Sequence, residues 1–385
     1  MPTLPHVAAL LVGRASRRPP GELADAVAEV AREAWEAGDV ALLLATHEQT
    51  ELVPMPRTGR SGARQQAVAV DDGPAGRCFT RGESVVEGGT TWVPVTHRGD
   101  RLGVLVVEAE VEPLAGDLAA LVDAVALHLA ADRGYSDGVE VVRRTQEMAV
   151  GAELLGSIVP PLTYTDDRVA LAAVMEPSYA SGGDALDHAV EGEVLRAMIL
   201  DATGHGFAAS LVSAVGVAAY RSARRSGEDL LGAWTVMDRF VGDTGGDDRY
   251  ATALLVELHL GTGRLTWLSA GHPAPVVVRA GGAVEVLEGD AAPPLGTGLG
   301  GAPDLAEEYL EPGDVLVLHT DGITEARGLD GRMLGLDGFL VVLRDELARG
   351  GLLAEKLRRI RLDLLARDDA WLSDDATVLL VEWSG

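Results

Sequence analysis

The sequence is poor in cysteine and in aromatic side chains. Its 385 residues include one cysteine, Cys78, and 4% aromatic residues. One cysteine cannot form a disulfide within the chain, which fits a reducing compartment, so we expect a cytoplasmic protein. Because 47% of the residues are hydrophobic, the core must be built mainly from alanine, valine and leucine, and the chain is long enough for two or three domains.

Two common routes to phosphate chemistry are missing as well. The single lysine, Lys356, lies in Glu-Lys-Leu rather than in Gly-Lys-Ser or Gly-Lys-Thr, so the chain has no P-loop. The residue six positions after Cys78 is Ser84, whereas a cysteine nucleophile that attacks phosphate needs an arginine there to hold it. Any phosphoryl chemistry of this chain must therefore use metal ions.

Positive charge is scarce. The formal net charge is −27, from 32 lysine and arginine residues against 59 aspartate and glutamate residues. Such a chain repels nucleic acids and anionic membranes, so we expect neither as a partner. No apolar run reaches about 18 residues, the length that a membrane helix needs. At residues 1–20 the positive charges follow the apolar stretch, which is opposite to their order in a signal peptide.

The most informative feature that is present is a series of four short acidic motifs. Ser-Gly-Gly-Asp ends at Asp184, Asp-Ala-Thr-Gly-His-Gly begins at Asp201, Thr-Asp-Gly surrounds Asp321, and Asp-Asp-Ala-Thr begins at Asp374. Apolar runs of strand character at 194–200 and 315–319 lead to the second and third motifs, and glycines follow where the chain must turn. Each motif alone is also an ordinary turn sequence, but four in this order predict one site.

Carboxylates that converge on one site repel each other, so a fold that collects them needs a counter-charge. Hard oxygen ligands select Mg²⁺ or Mn²⁺ over zinc. The motifs therefore predict a site for a hard divalent cation.

The order of the motifs resembles the PPM metal-dependent serine/threonine protein phosphatases, in their bacterial SpoIIE-like branch. The pattern of that branch is Gly-Gly-Asp, Asp-x-x-Gly-His-Gly, Ala-Gly-His-Pro, Pro-Leu-Gly, Thr-Asp-Gly-x-x-Glu and Asp-Asp-x-Thr. This sequence has it at residues 182–184, 201–206, 270–273, 294–296, 320–325 and 374–377. The resemblance covers residues 165–383. It implies that a domain at 162–385 is an αββα sandwich, with two sheets packed face to face and helices outside.

The resemblance also implies two Mn²⁺ or Mg²⁺ ions and a set of ligands for them. Asp201 would bridge both ions, Asp184 and the carbonyl of Ala202 would bind one, and Asp321 and Asp374 would bind the other. Such a pair of ions, about 3.5 to 4 Å apart, lowers the pKa of a bridging water and screens the charge of a phosphomonoester. The attack would then come from this metal-bridged water, with Asp201 and Asp184 as the catalytic carboxylates and no protein nucleophile.

Further residues are expected around these ligands. They are Asp187 and Glu325, which would orient metal-bound water, Asp375 as a neighbour of the ligands, and His205 and His272, which invite a general-acid role but whose Gly-His turns favour a structural one. Relatives carry an aromatic residue where this sequence has Ala-Leu at 185–186. Arg249 is a weak candidate for binding phosphate.

Residues 1–131 predict a separate α+β domain. An amphipathic helix begins after the Pro-Pro-Gly break at 19–21, strand-like runs follow, and a second helix covers 118–129. We expect these helices on one side of a mainly antiparallel sheet. The segments at 76–83, 92–95 and 102–105 resemble GAF sensory domains, whereas a PAS-like or unrelated α+β domain remains the alternative.

Residues 132–161 predict a helix that links the two domains. Its apolar stripe comprises Val142, Ala149, Ala152, Leu155 and Ile158. Pro160 and Pro161 end the helix. The stripe extends over barely two heptads, so two interpretations stay open: a coiled coil in a homodimer, or a helix docked on the phosphatase core.

The sequence thus predicts a phosphoserine/phosphothreonine protein phosphatase that is controlled by its N-terminal domain. By resemblance, its expected substrate is a phosphorylated anti-sigma-factor antagonist of the STAS type in bacterial partner switching. A non-catalytic module that binds such a partner is an alternative, which retention of all four ligand carboxylates disfavours. A hydrolase of small phosphoesters is another. We also expect a homodimer.

Overall fold

A computed structural model describes the chain at residues 5–58, 66–109, 111, 116–245, 249–327, 332–367 and 374–385. The chain divides into two units, Met1–Gln146 and Glu147–Gly385, each with its own hydrophobic core. Within these ranges, no helix combines the length and the apolar character that crossing a bilayer requires.

Unit 1 is an α+β domain built on one sheet. Its described helices are α1 (Pro5–Ala15), α2 (Leu23–Trp35), α3 (Gly73–Arg81), α4 (Gly116–Asp132) and α5 (Gly138–Arg143). Its strands are β1 (Val40–Ala45), β2 (Glu51–Pro54), β3 (Val68–Ala69), β4 (Val85–Glu87), β5 (Thr90–His97) and β6 (Asp100–Val107). The strands pair in the order β3-β2-β1-β6-β5-β4, and the pairs are antiparallel.

The two predicted helices, α2 and α4, pack on one face of this sheet, as expected, and α3 covers the other face. Leu42 and Leu44 of β1 lie in the core formed with α1, α2 and α4, whereas the alternate residue Leu43 packs with Phe79 and Cys78 of α3. Neither α1 nor α3 was predicted. Burial raises the pKa of the Cys78 thiol to about 12, so this thiol stays protonated at neutral pH.

Unit 2 has more elements. Its helices are α6 (Val150–Ile158), α7 (Phe207–Arg225), α8 (Leu230–Gly245), α9 (Asp321–Glu325), α10 (Gly335–Leu347) and α11 (Leu353–Arg367). Its strands are β7 (Thr163–Thr165), β8 (Val169–Glu176), β9 (Asp184–Glu191), β10 (Val194–Ala202), β11 (Ala251–His259), β12 (Arg264–Ala270), β13 (Val276–Val278), β14 (Val284–Val286), β15 (Ala291–Ala292), β16 (Ala306–Tyr309), β17 (Val315–His319) and β18 (Ala376–Trp383).

These strands form two six-stranded sheets that pack face to face. One sheet has the order β15-β12-β11-β10-β9, with β16 also on β12, and the other has the order β14-β13-β17-β18-β8-β7. Their facing side chains share one core, which includes Ile199 of β10 and Leu318 of β17. Helices α6, α7 and α8 cover the outer face of the first sheet, and α9, α10 and α11 cover that of the second. Unit 2 is therefore the αββα sandwich that the motif resemblance implied.

The segment 132–161 does not form the single linker helix that was predicted. Helix α5 ends at Arg143, residues 144–149 are not helical, and α6 begins at Val150. Val142 packs on the core of unit 1, whereas Leu155 and Ile158 pack in unit 2, where α6 contacts α7. The apolar stripe is thus divided between the two units, with Leu155 buried and Val142 and Ile158 half-buried.

Candidate metal centre

Strands β9 and β10 bring the first two motifs together. Asp184 and Asp201 lie directly opposite each other in this antiparallel pair, so their side chains leave the same face of the sheet with Cβ atoms about 4.5 to 5.5 Å apart. That face is the inner one, since Ile199, two residues before Asp201, packs between the sheets. The next residue, Ala202, donates its N–H to the carbonyl of Gly183 at 3.1 Å.

The other two motifs come from the neighbouring ends of β17 and β18 in the second sheet. Asp321 begins α9 directly after β17, and Asp374 precedes β18. These strands are antiparallel neighbours. Burial, followed by the charges of Asp321, Asp374 and Asp375, raises the pKa of Asp201 to about 7. The two sheets thus bring the four motifs within electrostatic reach of one another.

Asp184 is the most buried of these carboxylates, with 4% of its surface exposed. Burial and the nearby charge of Asp201 raise the pKa of Asp184 well above its usual range. One oxygen, Oδ2, accepts a hydrogen bond from Oγ1 of Thr320 at 2.8 Å. The other, Oδ1, is buried without a hydrogen-bond partner among the residues that the structure describes.

Within the described ranges, no side chain forms an ion pair that neutralises this group of carboxylates. Among the described residues, no lysine, arginine or histidine forms an ion pair with Asp184, Asp201, Asp321, Asp374 or Asp375. No three acidic, histidine or cysteine side chains of these ranges are close enough together to hold an ion as they stand. The donor set still fits a divalent cation, because a buried unpaired oxygen and mutually repelling carboxylates are what such an ion would satisfy.

Asp375 lies at the meeting point of three motifs. Its Oδ2 accepts a hydrogen bond from the N–H of Gly183, and its own N–H donates to Oδ1 of Asp374 at 2.9 Å. A Cβ at Gly182 would collide with the Asp375 carboxylate, and a Cβ at Gly322 would collide with its carbonyl oxygen. Both glycines are therefore required by the close approach of Asp375.

The two candidate histidines differ in their surroundings. His272 is 6% exposed, and its Nε2 lies 3.1 Å from the carbonyl of His319, which can only accept. Its Nδ1 then accepts from Oγ1 of Thr252 at 2.7 Å. Burial lowers the pKa of His272 to about 3, so it is a neutral structural group, as the sequence favoured.

His205 is exposed, in the loop between β10 and α7. It is close enough to Asp375 to oppose the rise in the pKa of that carboxyl, which burial causes in the first place. It therefore borders the site, and a role in proton transfer stays a prediction. Glu325 and Arg249 are also exposed, and no described contact joins either to the carboxylates.

Asp187 does not belong to the site, which corrects the expectation that it orients metal-bound water. It is fully buried, and it faces α7 rather than the opposite sheet. Its Oδ1 accepts from Arg221 at 2.6 Å and its Oδ2 from Arg224 at 2.8 Å. Its ion pairs with these two arginines thus join β9 to α7.

Several residues that support the site were not predicted. Thr320 was only part of a motif, yet its hydroxyl also accepts from the N–H of Thr377 at 2.9 Å. On α7, Ser210 donates to the carbonyl of Gly182 at 2.7 Å and Ser213 donates to that of Gly183. The two serines stand at i and i+3 on the helix face that packs on β9, but no motif marks them.

Comparisons with known proteins agree with this architecture. The family model described as Stage II sporulation protein E (SpoIIE) matches residues 191–384. This match begins after Asp184, so the first acidic motif lies outside it.

Solved structures are similar to part of the chain. The RsbU and RsbW domains of Rv1364c from Mycobacterium tuberculosis share 27% identity and a TM-score of 0.51 over 59% of this chain and 63% of that one. The PP2C phosphatase domain of SpoIIE from Bacillus subtilis, with a fragment of its regulatory domain, shares 21% identity and a TM-score of 0.49 over 56% and 64%. RsbX in complex with magnesium shares 17% identity and a TM-score of 0.44 over 58% and 98%. The chain thus spans less than two thirds of the length of the first two.

Proposed function

Because the chain belongs to the Stage II sporulation protein E (SpoIIE) family, we propose that it is a metal-dependent phosphatase acting on phosphoserine and phosphothreonine in a protein. Members of this family and their structural neighbours are metal-dependent serine/threonine phosphatases. We propose the same activity for this chain, with its own carboxylates as the metal ligands.

The observation that carries the proposal is the unpaired, buried Oδ1 of Asp184 opposite Asp201, in a group of carboxylates without a neutralising cation in the described ranges. Repulsion between these carboxylates destabilises the folded chain unless a bound cation neutralises them. A purely structural group of carboxylates is expected to carry arginine partners, as Asp187 does.

The proposed ligands are those implied by the motifs. Asp184, Asp201 and the carbonyl of Ala202 would bind one Mn²⁺ or Mg²⁺ ion, and Asp201, Asp321 and Asp374 would bind a second. When bound, such ions activate a water molecule and screen the negative charge of the phosphate.

The protein side chains contribute position and access. Thr320 holds one oxygen of Asp184, and the sandwich excludes bulk water from that carboxylate. Asp321 and Asp374 are exposed. The site is therefore shielded from water around Asp184 and open to solvent around Asp321 and Asp374, where a phosphorylated loop of a protein can approach.

The proposed substrate is a phosphorylated anti-sigma-factor antagonist of the STAS type. Support comes from the motif resemblance to the SpoIIE-like branch and from the family match over residues 191–384. Unit 1 is proposed to be a GAF-like sensory domain, for which its antiparallel α+β architecture is suitable. A cytoplasmic location and a homodimer complete the proposal, although the stripe of residues 142–158, which packs on two different cores, gives the homodimer no support.

A dephosphorylation assay tests the proposed function. Full-length protein with Mn²⁺ is incubated with a phosphorylated STAS-type protein and, separately, with a small chromogenic phosphoester. Metal-dependent release of phosphate from the protein, abolished by chelator, is the expected result. Release from the small ester alone would make the chain a general phosphoesterase, and tight binding of the phosphoprotein without release would make it a binding module.

A further inference from the structure

Asp184 begins β9, and two side chains next to strands of the second sheet, Thr320 and Asp375, contact it or the residue before it. Thr320 follows β17 and donates from Oγ1 to Oδ2 of Asp184, while the same hydroxyl accepts from the N–H of Thr377. With its donor and acceptor roles both filled, the hydroxyl has one orientation. It fixes Oδ2, whereas Oδ1 is buried without a hydrogen-bond partner of normal geometry among the described residues, although the hydroxyl of Thr377 also lies near enough to lower the pKa of Asp184.

Asp375 acts on the backbone of Gly183, the residue just before β9. In an antiparallel pair, two residues that are hydrogen-bonded exchange both N–H···O bonds. Ala202 donates to the carbonyl of Gly183, yet the N–H of Gly183 donates to Asp375 instead of returning to the carbonyl of Ala202. The Ala202 carbonyl is therefore released from Gly183, although Gly183 lies against it.

Resting on the proposed function, we propose that Thr320 and Asp375 are positioning residues for the metal centre, which select the Oδ1 atom of Asp184 and the carbonyl of Ala202 as metal-facing atoms. Neither residue needs to touch an ion. Groups that orient metal ligands in this way typically change metal affinity by roughly 10- to 100-fold when they are removed. Gly182 lies against the Asp375 carboxylate, and Gly322 lies against the Asp375 carbonyl, where a side chain would collide.

The test for Thr320 is calorimetric titration of Mn²⁺ into the metal-free full-length chain. Thr320→Val keeps the shape and removes the hydroxyl, and we expect Mn²⁺ affinity to fall at least about tenfold, whereas Thr320→Ser keeps it within about threefold. Thr91→Val is the matched control. Thr91 is equally buried, and its Oγ1 also donates to a carbonyl (Ala109, 2.8 Å) and accepts from an N–H (Val111, 3.2 Å). It should lower the melting temperature without changing Mn²⁺ affinity.

The test for Asp375 separates its hydrogen bond from its charge. Asp375→Asn keeps an acceptor for the N–H of Gly183, so Mn²⁺ affinity should stay within about fivefold of the wild type, whereas Asp375→Ala should weaken it by about tenfold or more. Equal losses in the two variants would mean that only the charge matters and would overturn this role.

The outcomes also distinguish the proposed positioning roles from the proposed phosphatase function. Wild-type Mn²⁺ affinity in Thr320→Val would overturn positioning by Thr320 while leaving the proposed function intact. A wild-type chain that binds no Mn²⁺ would overturn the proposed function, and positioning with it. If Thr320→Val does not fold, as judged by its melting curve in chelator, the Asp375 pair decides the question.

Discussion

Strand β9 carries two buried aspartates that have opposite surroundings. Asp187 faces α7 and is neutralised by Arg221 and Arg224. Asp184, three residues earlier, faces the second sheet. Burial and then the charge of Asp201 on the neighbouring strand β10 raise the pKa of Asp184, and no arginine or lysine of the described residues pairs with it. The charge of Asp187 is neutralised within the protein. The charge of Asp184 is neutralised only when a cation binds, and this distinguishes a binding site from a structural ion pair on the same strand.

The largest effect is expected from Asp201→Asn. In the proposed site this carboxylate serves both ions, so turnover of a phosphoprotein should fall by about a thousandfold or more, equivalent to several kcal/mol of transition-state stabilisation. Initial rates at saturating Mn²⁺ measure this. The exposed Asp243→Asn on α8 is the control and should keep wild-type rates. Turnover of Asp201→Asn within about tenfold of the wild type would remove Asp201 from the catalytic centre.

The same substitution at the two positions of β9 should have opposite effects on stability. Asp187→Asn leaves Arg224, whose side chain is 7% exposed, without its charged partner, so the metal-free chain should lose about 3 kcal/mol. Asp184→Asn removes a carboxylate whose pKa burial raises. Above its ordinary pKa that charge opposes folding, so the metal-free chain should gain about 1 kcal/mol. Urea unfolding in chelator at pH 7 compares the two, and changes of the same sign would break the contrast.

The sequence predicted the convergence of the acidic motifs better than the contacts of the residues around them, and β9 shows why. The four acidic motifs predicted that Asp184, Asp201, Asp321 and Asp374 converge, and the two sheets bring them within electrostatic reach of one another. Asp187 was misplaced because β9, with the sequence Asp-Ala-Leu-Asp-His-Ala-Val-Glu, lacks the apolar run of a buried strand. Its arginine partners come from α7, more than thirty residues later, and no local pattern announces that pairing.

The secondary structure was likewise predicted well where the local sequence pattern was sufficient and poorly where it was not. The apolar run of β17 was predicted with its observed bounds, Val315–His319, because it is buried along its whole length. The segment 132–161 was predicted as one helix because its apolar residues have nearly helical spacing. Arg144 has an extended backbone there, and Val142 packs on one core whereas Leu155 and Ile158 pack on another. Periodicity alone does not tell which core an apolar residue joins.

Metal binding should stabilise the chain through Asp184 but not through Asp187. At a concentration about 100 times its dissociation constant, Mn²⁺ should add about 2.7 kcal/mol, which for a unit of this size raises the melting temperature by about 5 to 10 °C. Mg²⁺ should act similarly, chelator should reverse the effect, and zinc should not be required. Thermal melts with and without the ion measure it.

Asp184→Asn should lose most of this Mn²⁺-dependent stabilisation. Asp187→Asn should melt at a lower temperature but keep the increase on adding Mn²⁺, because its side chain does not face the site. If Asp184→Asn kept the full increase, the ion would bind elsewhere.

The smallest effect concerns a paired carboxylate in unit 1. A hydrogen bond from His47 is the main cause that lowers the pKa of Glu140 to about 2, and the ring Nε2 of His47 lies 3.0 Å from its carboxylate. A lowered pKa means that the folded chain holds the charged form more tightly than the unfolded chain does. Its stabilisation is therefore present above about pH 4.5 and is lost as the pH falls towards 2, opposite in sign to Asp184. Since Glu140 is partly exposed, Glu140→Gln should cost about 1 kcal/mol at pH 7 and almost nothing near pH 2. Urea unfolding of both proteins at several pH values measures the difference, and a pH-independent difference would show that Glu140 stabilises the fold by packing rather than by its charge.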